Sequence, residues 1–105
     1  MYVMLVKNVN GSSRFPAPYG YNSWLHYWES TNGQLQAGVN YKCPACGDVH
    51  MRTNFVGAHV QKVFGTDRSW YIVPICRGCN QRSDNFDVTV TPLAVPSNNV
   101  FNNRY

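Results

Sequence analysis

Four cysteines in two pairs, Cys43-Pro44-Ala45-Cys46 and Cys76-Arg77-Gly78-Cys79, constrain this chain more than any other feature of its sequence. Two thiolates held two residues apart on a tight turn can converge on one metal ion, and a second such turn completes a tetrahedron. Gly47 follows the first pair and Gly78 lies inside the second, where a tight turn calls for an unrestricted backbone. A structural Zn2+ held by Cys43, Cys46, Cys76 and Cys79 is the reading that uses every thiol. Two disulfides are the competing reading. Against them, the segment Met1 to Lys7 has too short an apolar stretch, and no leading positive charge, for a secretory signal, so a reducing, cytoplasmic setting is expected. A redox Cys-x-x-Cys would account for one pair and leave the other idle.

A staple of this kind answers a problem of size. At 105 residues the chain reads as a single domain, 1–105, with a modest core. Its composition, 44% hydrophobic and 14% aromatic with only 13% charged, excludes disorder. No apolar run approaches the ~20 residues of a membrane span, so no membrane partner is expected. The formal charge of +4 (pI about 9.0) invites a nucleic-acid reading, but four thiolates and one Zn2+ would lower it to near +2. The case for nucleic acid must therefore rest on local clusters of charge.

Three zones follow one another. Residues 1–38 open with an apolar run from Tyr2 to Val6 that predicts a strand, then a turn-rich stretch from Asn8 to Gly20. Asn22 or Ser23 can cap a short helix that carries Trp24 and Trp28 at i and i+4, with Gly33 after its end. These aromatics form either a core, which their size favours, or a face for stacking bases or docking a protein. Residues 39–90 hold two knuckles with a β-hairpin between them and a short helix after. Residues 91–105 are a tail, in which the alternation from Asp87 to Pro96 predicts an edge strand and Ser97 to Tyr105 a loosely ordered end. The fold class expected is small α+β: a treble-clef-like zinc core with an N-terminal aromatic helix and flanking strands.

Within residues 41–87 the order Cys43-x-x-Cys46, then Gly57-Ala58-His59-Val60, then Tyr71-Ile72-Val73-Pro74-Ile75-Cys76-Arg77-Gly78-Cys79-Asn80 resembles the zinc-ribbed HNH endonucleases, a ββα-metal, treble-clef-like family. The resemblance implies that His59 matches the general base acting on water and that Asn80 matches a metal ligand at the start of the helix after the second knuckle. A divalent cation such as Mg2+ would then bridge the scissile phosphate. Two positions depart from the pattern. The acidic ligand before the histidine is Ala58 here, and the asparagine that orients the histidine falls on Tyr71 or Trp70. If residues 79–87 are helical, Asp84 lies at i+4 from Asn80 and could replace the missing carboxylate. Asp48, His50 and Asp67 are less well placed to help.

Residues 41–82 carry Lys42, Arg52, Lys62, Arg68, Arg77 and Arg82 against Asp48 and Asp67. This excess suits a phosphate-bearing DNA or RNA partner, with Arg77, Arg82, Lys62 and Arg68 as candidate contacts. The leading expectation is a zinc-stabilised, HNH-related module that binds nucleic acid or a protein, with nuclease activity weak or lost. An active metal-dependent DNA endonuclease is the alternative, and a protein-interaction module built on the Trp24/Trp28 helix is a third reading.

Overall fold

A computed structural model describes residues 3–9 and 15–95. The expectations for Tyr2, for much of the turn-rich stretch (residues 10–14) and for the tail beyond residue 95 lie outside the described residues. The described residues form a small α+β fold with one α-helix and two antiparallel sheets. Strand β1 (Met4–Asn8) is followed by helix α1 (Trp24–Asn32), then by the short strands β2 (Asn40–Lys42) and β3 (Val49–Met51). The hairpin β4 (Phe55–Lys62) and β5 (Tyr71–Cys76) comes next, and β6 (Phe86–Val88) and β7 (Leu93–Ala94) close the order. The main sheet runs β6-β1-β4-β5-β7, and β2-β3 is a separate ribbon.

Burial on β5 explains how the sheet is covered. Ile72 through Cys76 are all buried, so both faces of this strand are packed. Strand side chains alternate in direction, and accordingly Val73 and Ile75 join Val6, Val60, Phe86 and Val88 in one cluster, while Ile72 joins Trp24, Trp28 and Val95 in another. Pro74 sits beyond the two β5 residues that pair with β7, Tyr71 and Ile72, where no outer strand asks it for an N–H.

Helix α1 forms where the sequence places it. The Ser23 side chain accepts from the His26 amide at 3.0 Å, and Gly33, at φ 103°, ends the helix with its own N–H on the Glu29 carbonyl. The helix lies directly on β4. A Cβ on Gly57 would stand 2.4 Å from the Leu25 nitrogen and 2.5 Å from the Trp24 carbonyl carbon, so only glycine admits this backbone contact. Trp24 and Trp28 are core residues, and their indole N–H groups donate to the carbonyls of Phe15 and Thr91. Glu29, also buried, accepts two hydrogen bonds from Arg52 at 2.7 and 3.0 Å and one from the Leu35 amide at 2.7 Å. Burial alone would raise its pKa, but the Arg52 and Leu35 contacts outweigh that and hold the carboxyl below the usual range.

Two expectations about the C-terminal half are corrected. The segment after the second knuckle forms a single 3-10 turn, Cys79–Gln81, before the chain extends into β6. Nor is there one edge strand after residue 87. The segment divides into β6 and β7, which lie on opposite edges of the main sheet.

Candidate metal centre

The four cysteine sulfurs lie within 4.8 Å of one another. The first knuckle hangs from the β2-β3 ribbon, whose ladder is extended by Cys43 N–H to Asp48 C=O at 2.8 Å and tightened by Gly47 N–H to Cys43 C=O at 2.9 Å. Gly47 takes φ 82°, the left-handed conformation expected of it. The second knuckle starts on the last residue of β5 and is pinned by Arg77 N–H to Asn54 C=O at 3.0 Å. Gly78 has φ −62°, so the second turn does not draw on glycine's freedom in φ. Asn8, at the end of β1, donates from Nδ2 to the carbonyls of Cys79 and Arg82, both at 3.0 Å, and ties the N-terminal strand to this turn.

The donor set fits a tetrahedral ion. A Zn–S bond of ~2.3 Å requires sulfurs about 3.8 Å apart, and Cys46 and Cys76 stand 3.8 Å apart. Burial pushes the Cys43 thiol up, yet amide groups at Cys76, Cys46 and Ala45 together outweigh it and hold this thiol below its ordinary value. The Cys76 amide reaches the Cys43 sulfur at 3.4 Å. Burial, reinforced by the neighbouring thiols, pushes Cys79 well up, and Cys46 is raised as well. Four thiolates this close repel one another, so full ionisation of the cluster requires a cation at its centre. The chemistry supports a structural zinc site.

The remaining residues singled out from the sequence fall elsewhere. His59 lies on β4, paired with Ile72 and only 5% exposed. Trp24 and Trp70 meet its ring edge-on at centroid distances of 4.7 and 5.5 Å. Its Nε2 is buried without a hydrogen-bond partner, and burial pushes the imidazole pKa down to about 4. The neighbouring Ala58 is buried. Asn80 and Asp84 do not share a helical face, because the helix that would join them is absent. Asp84 instead accepts from Arg82 at 2.6 and 2.9 Å. Among the described residues, Asp84 belongs to no cluster of His, Cys, Asp or Glu side chains that could hold a metal.

Three of the basic residues in this stretch have acidic partners. Arg82 is paired with Asp84 and lies over the Phe86 ring, Lys62 is 3.5 Å from Asp67, and Arg52 is committed to Glu29. Asp67 also accepts from Tyr71 Oη and the Ser69 amide, bonds that hold its carboxyl well below the usual range. Lys7, Lys42, Arg68 and Arg77 are exposed and take part in no ion pair among the described residues. One grouping was not anticipated. Cys46, Asp48 and His50, alternate residues leading into β3, bring a sulfur, a carboxylate oxygen and a ring nitrogen within 4.8 Å of one another.

Comparison of the chain with family models, with curated proteins and with solved structures finds no match. Among the described residues, no helix is long and apolar enough to cross a membrane.

Proposed function

We propose that the chain is a zinc-stabilised domain related to the HNH endonucleases, with its reaction centre lost, that binds nucleic acid through cations left unpaired on its surface. The order of knuckle, hairpin with His59 and second knuckle supports the relation, and the four-cysteine cluster supports the zinc. The observation that carries the loss of catalysis is the roof over His59. Helix α1, which lies outside the resemblance, seats Trp24 against the ring through the close approach at Gly57. A general base must reach a water and a phosphate, and one this buried, with a pKa depressed to about 4, is a core residue instead. Ala58 beside it offers no ligand, and Asp84 is neutralised by Arg82.

Nucleic-acid binding is supported by Arg77 and Arg68, with Lys42 and Lys7 as further exposed cations. Among the described residues the Arg77 side chain donates one long hydrogen bond, to the Thr53 carbonyl at 3.3 Å. The test is retention of labelled DNA and RNA by the zinc-loaded protein across a salt series. Affinity should fall steeply with salt, and Arg77→Ala should weaken binding and reduce the magnitude of the salt slope by about 1. Salt-independent retention, or none at low salt, would refute the binding reading. Plasmid nicking with Mg2+ or Mn2+ that disappears in His59→Ala would refute the loss of catalysis.

A further inference from the structure

The geometry points to a second metal site, formed by Cys46, Asp48 and His50, that takes a zinc-class divalent ion and shares the Cys46 thiolate with the ion of the four-cysteine site. This inference rests on the structural zinc reading and adds a site to it. The three donors converge within 4.8 Å, and each is uncommitted in its own way. Cys46 is the exposed member of the four thiols, so its sulfur can face a second ion. The Asp48 carboxylate enters no ion pair or hydrogen bond among the described residues. His50 Nε2 is buried without a partner, a position that costs free energy unless something occupies its lone pair or takes its proton.

The far side of the His50 ring carries a side chain that can orient it as a metal ligand. Asn54 places its amide nitrogen Nδ2 2.8 Å from His50 Nδ1 and donates to it, which puts the ring proton on the unpartnered Nε2. A half-turn of this amide exchanges its nitrogen for its oxygen, so that on metal binding Asn54 would accept from Nδ1–H and leave the Nε2 lone pair free for the ion, the outer contact by which ligating histidines are oriented. Electrostatics favour a second cation here. Four thiolates around one Zn2+ leave a formal charge of −2, and Asp48 brings this corner to −3. One thiolate, one imidazole and one carboxylate form a mixed set that suits zinc or cobalt and not magnesium, which avoids sulfur. Three protein donors leave a fourth position for water. The site is distinct from the cation position expected at Asn80 and Asp84.

The experiment is zinc stoichiometry of the full chain, reduced and reconstituted with excess Zn2+, by native mass spectrometry. Two ions per chain are expected in the wild type. Asp48→Asn and His50→Ala should each retain one ion and the folded circular dichroism spectrum, and Asn54→Ala should weaken the second ion about 10- to 100-fold. The paired variants guard against one of them misfolding. A wild-type stoichiometry of one overturns the second site and leaves the four-cysteine site standing. Two ions retained by both variants places the second ion elsewhere and also overturns it. No bound zinc overturns both sites together.

Discussion

Burial of His59 between Trp24 and Trp70 implies a specific acid sensitivity. The imidazole is held to a pKa of about 4 in the fold, against an ordinary value of 6.5 once the chain unfolds. The unfolded state therefore binds the extra proton first as pH falls. Stability from this group is fully present above 6.5, is lost as pH falls toward about 4, and changes no further below that. The whole window corresponds to about 3 kcal/mol, and the step from about pH 7 to about pH 5.5 to about 1.2 kcal/mol. Urea unfolding at both pH values, with zinc saturating, measures this loss. Thiolate protonation also acts on stability in acid, so the comparison must be with a variant that lacks the imidazole. His59→Phe, with His59→Leu as a second packing choice, should lose about 1.2 kcal/mol less than the wild type over the same step. Equal losses would mean that the ring ionises freely in the folded protein. The roof formed by α1 would then be wrong, and with it the main argument against catalysis.

Three other outcomes follow from the packing. Gly57→Ala sets a Cβ against the backbone of Trp24 and Leu25 at 2.4–2.5 Å, so α1 must shift, and urea unfolding should show a loss of about 1–3 kcal/mol or more. Arg52→Ala leaves the buried Glu29 carboxylate without its ion-pair partner and should cost about 3–5 kcal/mol, whereas the double variant Arg52→Met with Glu29→Leu should recover most of it. Asn8→Asp turns a donor shared by the Cys79 and Arg82 carbonyls into an acceptor, and a thermal scan should show a lower Tm together with a weaker hold on zinc in a chelator competition.

The parts of the fold legible in the sequence were those with local signals. Ser23 and Gly33 bound α1 because a cap and a left-handed stop are properties of a few adjacent residues. The two Cys-x-x-Cys turns could be read as one cluster because their spacing leaves few other uses for four thiols. The helix expected after Cys79 does not form, and the residues there argue against it. Cys79 to Asp87 has no apolar period of 3.6, while Phe86 and Val88 alternate and are buried as β6. His59 could not be read locally, since Trp24 comes from a helix well before it in the chain and Trp70 meets it only across the β4-β5 hairpin. Gly57 was a usable hint, because glycine inside a strand pattern marks a close backbone approach. The approach of Cys46 to Asp48 and His50 had no such signal, because Cys46 lies on the knuckle turn and Gly47, at φ 82°, folds the chain between them.

The central claim is that one ion held by Cys43, Cys46, Cys76 and Cys79 organises this fold. X-ray absorption at the zinc edge, on the reduced chain loaded with one equivalent of Zn2+, tests it most directly. The account predicts four sulfur scatterers at ~2.3 Å and no nitrogen or oxygen bound to the metal. Mixed sulfur and nitrogen ligation at one equivalent, or a folded chain that takes up no zinc, would contradict it.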